Sequence, residues 1–144
     1  VREEWSQWLV GRLLVHGNAM MMVPGWLDQS VLAAPLRARL EFGLDTEPVE
    51  WFTPEETPAW LPLTRGEGVL VGGYRREDNA VLLTVYNSTE EKTQARFDLR
   101  PLEAEAGPVV AHDAVTSAPC TRLGPNLVVS IPALSFRMVR IEPR

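Results

Sequence analysis

A single cysteine, Cys120, stands among 144 residues, so the chain can form no internal disulfide. A domain of this size has core enough without one, which leaves the compartment open. With two histidines, His16 and His112, and one thiol, the chain shows no recognisable spacing of the three or four ligands of a zinc site. No metal and no cofactor are expected. Basic charge is also in short supply: 14 Lys and Arg against 19 Asp and Glu give a net charge of −5. That balance argues against nucleic acid or an anionic membrane surface as a partner, since both reward a basic patch. The apolar run Ala19-Met-Met-Met-Val23 is far shorter than the ~20 residues of a membrane span. Gly66-Glu-Gly68 and Gly72-Gly73 lack the lysine and following helix of a phosphate loop, and Gly72-Gly73 reads as a bulge in a strand. A serine nucleophile elbow is absent. Neither an initiating methionine nor a signal peptide opens the chain, which is expected to be a piece cut from a longer polypeptide or a processed chain.

What is present is ordinary for a globular domain: 45% apolar and 23% charged residues. The last third reads as strand after strand, and 126–141 alternates with a period of two, as half-buried strands require. Strands are expected at 68–75, 80–87, 93–99, 109–113, 115–122, 126–131 and 135–141. Asp78-Asn79 and Ser88-Thr-Glu-Glu supply turns between the first three. Pro132 breaks the last run and marks an edge or a turn between its two halves. About seven short strands with turns every eight to twelve residues imply a mainly β fold, an antiparallel β-sandwich.

One or two helices precede it. Trp5, Trp8, Leu9 and Arg12-Leu13 follow helical spacing. A helix to residue 15 fits, as does a helix to about 11 followed by a short strand. Pro24-Gly25 is a turn. Asp28 can cap a second helix with a stripe of Val31, Leu32, Leu36 and Leu40, interrupted or kinked at Pro35 and ended by Gly43. Residues 1–46 thus form a helical segment and 47–144 the sandwich. Pro48, Pro54, Pro58 and Pro62 make the join an extended, stiffened connector.

Residues 80–142 resemble the C-terminal β-sandwich that follows the catalytic barrel in many glycoside hydrolases. The likeness lies in Val81-Leu-Leu-Thr-Val-Tyr-Asn87, Ala95-Arg-Phe-Asp-Leu99, Val109-Val-Ala-His-Asp113, Val115-Thr116, Leu127-Val-Val-Ser-Ile-Pro132 and Leu134-Ser-Phe-Arg-Met-Val-Arg-Ile141. The last two would form a closing hairpin, as in amylase-like proteins. Leu13-Leu-Val-His-Gly17, Leu40-Glu-Phe-Gly-Leu44 and Val49-Glu-Trp-Phe52 resemble the join between barrel and sandwich. The resemblance implies a non-catalytic C-terminal module that stabilises or shapes a neighbouring barrel, with the preceding catalytic domain or chain as its partner. The alternative is an independent carbohydrate-binding module.

The residues themselves point to no catalysis. A glycosidase sets two carboxyl groups across a sugar bond, whereas Glu41, Asp45, Glu47, Glu50, Glu55, Glu56 and Asp113 sit mostly in turns or connector. Asn87-Ser-Thr89 fits a glycosylation sequon but reads better as a strand-end turn. Trp51, Phe52 and Trp60 are the candidate carbohydrate contacts, because exposed aromatics stack on sugar faces. As a platform they must be exposed and roughly coplanar. As a structural joint they must be buried, and Trp51→Ala would then lower the melting temperature. Trp5, Trp8 and Met20–Met22 make residues 1–45 more apolar than a helix pair can hide, which calls for a partner surface.

Overall fold

The computed structural model describes residues 2–17 and 28–144. The Pro24-Gly25 turn, Met20, Met21, Met22 and Trp26 lie outside the described residues. Among those described, three helices and nine strands follow in the order α1 (Arg2–Val15), α2 (Gln29–Phe42), β1 (Val49–Phe52), β2 (Leu63–Arg65), β3 (Val69–Arg76), β4 (Val81–Asn87), β5 (Thr93–Asp98), α3 (Arg100–Ala106), β6 (Val109–Asp113), β7 (Thr121–Leu123), β8 (Asn126–Ile131) and β9 (Phe136–Pro143). The fold is mainly β. A five-stranded sheet, β1-β3-β4-β9-β6, faces a four-stranded sheet, β2-β5-β8-β7, and every pairing is antiparallel.

The five-stranded sheet is the middle of three layers, and β4 shows why. All seven of its residues are buried. Val81, Leu83 and Val85 enter the core between the sheets, while Leu82 and Tyr86 join the core under the helices. A strand covered on both faces needs no polar alternation, so Val81-Leu-Leu-Thr-Val-Tyr reads as an unbroken apolar run. β9 divides in the same way, Val139 and Ile141 inward and Phe136 and Met138 toward the helices.

The second helix carries both of its expected caps. Asp28 accepts the Ser30 amide at 2.9 Å, and Gly43 takes a left-handed conformation that ends α2. α1 continues to Val15 without a strand. The buried faces differ from the expected stripes. α1 buries Ser6, Val10, Gly11, Leu14 and Val15, and α2 buries Val31, Leu32, Pro35, Ala38 and Phe42. Trp5, Leu36 and Leu40 point away.

Four further expectations are corrected. The Gly72-Gly73 pair is not a bulge, because the register from Val69↔Asn87 to Arg75↔Val81 is continuous. Each glycine instead admits a neighbour. A Cβ on Gly72 would lie 1.9 Å from the Val15 carbonyl oxygen, and one on Gly73 would lie 3.1 Å from the Phe52 ring. The proline-spaced connector begins as strand β1, which pairs along the edge of the five-stranded sheet, and ends at β2. The expected strand 115–122 shrinks to β7, since Asp113 folds residues 113–118 into a turn by accepting the Val115 and Thr116 amides at 2.8 Å each. Finally, β8 and β9 form no hairpin: Pro132 lies in a corner that carries the chain from one sheet to the other.

Candidate functional site

β1 places Trp51 and Phe52 on opposite faces of its sheet, as the two-residue period demands. Phe52 is 7% exposed and points into the core between the sheets. There it meets Trp60 edge to face, with ring centroids 5.6 Å apart and planes at 85°. The Arg75 guanidinium lies 4.7 Å from the centre of the Trp60 ring and also binds Asn79 and Glu105 at 2.6 Å each. The cavity beside Phe52, bounded by Pro54, Pro58, Leu61 and Phe97, holds about 50 Å³. That is room for a few water molecules rather than a sugar ring.

Trp51 stands apart. It is 58% exposed and sits opposite Tyr74 in the β1–β3 register. One edge of the indole lies against Gly17 at the end of α1. Nearby, His16 and Glu55 approach to 3.8 Å, and Arg39 donates to the Tyr74 hydroxyl at 3.1 Å. Hydrogen bonds from Thr53 and from its own backbone amide lower the Glu55 pKa, with a smaller contribution from His16. The three aromatics named from the sequence therefore share no face, and Phe52 with Trp60 does not meet the coplanarity a stacking platform requires.

The acidic candidates are dispersed. Glu41, Asp45, Glu47, Glu50, Glu55 and Glu56 are exposed, and Asp113 is spent on turn amides. No group of three or more His, Cys, Asp and Glu suited to a metal ion occurs among the described residues. Other carboxylates serve as struts. Glu103 on α3 takes a two-pronged bond from Arg122 on β7, 2.8 Å on each arm. Asp78 binds Arg76, and Asp98 binds Arg100. Each of these arginine contacts is the main cause holding the carboxyl below its ordinary pKa. A carboxyl whose folded pKa is depressed stabilises the fold above its unfolded pKa and loses that contribution as pH falls through the folded value. The melting temperature is thus expected to hold from neutral pH to about 4.5, the ordinary value for Glu103, and to fall below it. Calorimetric scans from pH 7 to 3 check this; a melting temperature that rises on acidification contradicts it.

Asn87 is the residue whose role the structure sharpens most. It is fully buried. Its amide nitrogen donates to the carbonyls of Glu91, Ile131 and Pro132, and its oxygen accepts from the Thr89 amide and hydroxyl. The strand-end reading holds, and the side-chain nitrogen that a glycan would need is occupied within the fold.

No protein-family model and no curated protein matches the chain. Solved structures do. One assigned as an α-N-acetylgalactosaminidase, from Bacillus halodurans, covers 100% of this chain with a TM-score of 0.63 at 10% identity. Another, assigned as an α-galactosidase/melibiase from Bacteroides fragilis, covers 98% with a TM-score of 0.61 at 12% identity. An α-amylase from Anoxybacillus covers 85% with a TM-score of 0.50 at 12% identity. The structural neighbours are glycoside hydrolases. At these identities the likeness is one of fold. This chain spans 31%, 28% and 24% of their respective lengths, under a third in every case.

Proposed function

We propose that this chain is a non-catalytic C-terminal module of a glycoside hydrolase-like polypeptide, which stabilises or shapes a neighbouring catalytic barrel. In this reading residues 1–46 are the end of, or the join to, the preceding catalytic domain, and 47–144 are the accessory sandwich. The observation that supports it most is the near-complete match of this chain to less than a third of much longer glycosidases. The engagement of its less exposed carboxylates with arginines and turn amides is in keeping with it. The chain alone is expected to turn over no member of a nitrophenyl glycoside panel that includes α-galactosides and α-N-acetylgalactosaminides. The reading frame that encodes it is expected to carry a barrel-sized region upstream with paired acidic residues. Glycosidase activity of the isolated chain, lost on replacing Glu50, Glu55 or Asp113, would overturn the proposal.

A carbohydrate-binding module draws on one observation, the exposed indole of Trp51. Calorimetry with soluble oligosaccharides separates the two readings. Millimolar or tighter binding, abolished by Trp51→Ala without loss of stability, favours the binding module; no heat of binding favours the accessory role.

A further inference from the structure

Two hollows that share Gln7 follow one another along the start of β9. The first, of about 900 Å³, lies between the opening turns of α1 and the corner from β8 to β9. Glu3, Glu4, Trp5, Trp8, Pro132 and Leu134 line it. The second, of about 340 Å³, lies between the start of α2, the Asp113 turn and β9, with Ser30, Thr116, Phe136 and Arg137 on its walls. Small-molecule sites occupy ~300–1,000 Å³.

The walls narrow the chemistry of the ligand. Trp5 and Trp8 are one turn apart on α1 and therefore share a side of the helix. Trp5 is 44% exposed, while the Arg12 guanidinium lies 5.7 Å from the centre of the Trp8 ring. Each indole offers a flat apolar surface. Around them stand groups that both give and take hydrogen bonds. Gln7 accepts from Ser135 Oγ at 3.2 Å, and its amide nitrogen has no acceptor among the described residues. The Thr116 hydroxyl accepts the Ala118 amide at 3.3 Å and keeps its own proton to donate. Arg137 donates to the Phe136 carbonyl at 3.0 Å. Among the described residues neither Arg137 nor Glu3 nor Glu4 has an ion-pair partner.

A lipid or an apolar peptide in this groove would bury those polar groups unpaired, at a cost in free energy. An anion would meet Glu3 and Glu4 beside the indoles, in a chain whose net charge is −5. A neutral saccharide satisfies both conditions. Its rings carry an apolar C–H face for the indoles and hydroxyls that each donate and accept.

We propose that this groove binds a neutral oligosaccharide, with one ring against Trp5 and Trp8 and the next passing Gln7 toward Thr116 and Arg137. The site is separate from Trp51, which lies against Gly17 past the other end of α1. It goes beyond the accessory role and requires neither reading of the function.

Calorimetry of the chain with raffinose, maltotriose, cellotriose and xylotriose tests the proposal, with trigalacturonate as the charged control. At least one neutral trisaccharide is expected to bind with a millimolar or tighter Kd. Trp5→Ala is expected to weaken that binding about tenfold or more, and Trp5→Phe, which keeps a flat ring, to weaken it less. Trp51→Ala is expected to leave it unchanged. Because Trp5 is partly exposed, both of its variants are expected to melt with the parent chain. No binding of any neutral trisaccharide, tighter binding of trigalacturonate, or an affinity indifferent to Trp5→Ala would overturn the inference and leave the accessory reading standing. Binding abolished by Trp51→Ala would also overturn it, and would favour the binding module. Glycosidase activity in the chain alone would overturn the accessory reading without touching the groove.

Discussion

Gly72→Ala is expected to lift α1 off the sheet and to melt the helical layer ahead of the sandwich. The added methyl would meet the Val15 carbonyl oxygen at 1.9 Å. Overpacking costs roughly 1–3 kcal/mol where side chains can adjust. Here the obstacle is backbone, so no rotamer relieves it and the whole end of α1 must move. That movement uncovers Val10, Leu14 and Val15, all now buried against the sheet. A loss of about 3 kcal/mol or more follows, which in a chain of this length lowers the melting temperature by roughly 6–12 °C. Hydrogen exchange should show the amides of α1 losing protection while those of β4 keep theirs. Unchanged protection of α1 in the variant would mean that the helix end is not held where Gly72 admits it.

Phe52→Ala is expected to cost roughly 3–5 kcal/mol, as large-to-small changes at buried aromatics do, while its neighbour Trp51→Ala changes stability by no more than about 0.5 kcal/mol. The sequence put Trp51, Phe52 and Trp60 together in the structural joint, with Trp51→Ala as the variant expected to lower the melting temperature. The structure moves that role one residue along, because Phe52 fills the space above Gly73 and braces Trp60, whereas Trp51 faces water. Urea melts of the two variants measure the difference. Equal losses would mean that the exposed indole is held more firmly than its contact with Gly17 suggests.

The elements that could be read from the chain are those with strong local signals. Asp28 and Gly43 bracket α2, and the alternating runs of β3 to β6, β8 and β9 fall within a residue or two of where they were expected. Three elements were hidden and a fourth was misplaced, for identifiable reasons. β1 and β2 are short edge strands among prolines, where a missing amide goes unpunished because one side of the strand is unpaired. α3 starts with Arg100-Pro101 and ends at Gly107, a helix signature that was present but masked by the strand pattern on either side. β7 was placed too early because the Asp113 turn, with Ser117 at φ +63°, uses residues whose composition suits a strand.

The helix faces were read only in part from spacing: Val31 and Leu32 are buried as expected, whereas Leu36 and Leu40 are exposed. Both helices are apolar on two sides, and periodicity says that a stripe exists without saying which neighbour claims it. The candidate site failed on the same point. Trp51 and Phe52 are adjacent in sequence, but strand geometry sends them to opposite sides, and Trp60 finds Phe52 only through the loop that follows β1.

The position of β9 between β4 and β6 governs how this chain can be made. β4 can pair with β3 as soon as both are synthesised, but its other edge must wait about 50 residues for β9. At a synthesis rate of about 5–20 residues per second that wait lasts roughly 3–10 s. Throughout it the nascent chain presents an open edge made of Val81-Leu-Leu-Thr-Val-Tyr, the kind of edge that recruits a strand from another molecule. Slower elongation lengthens this exposure, so the yield of folded protein depends on what shields that edge at the ribosome.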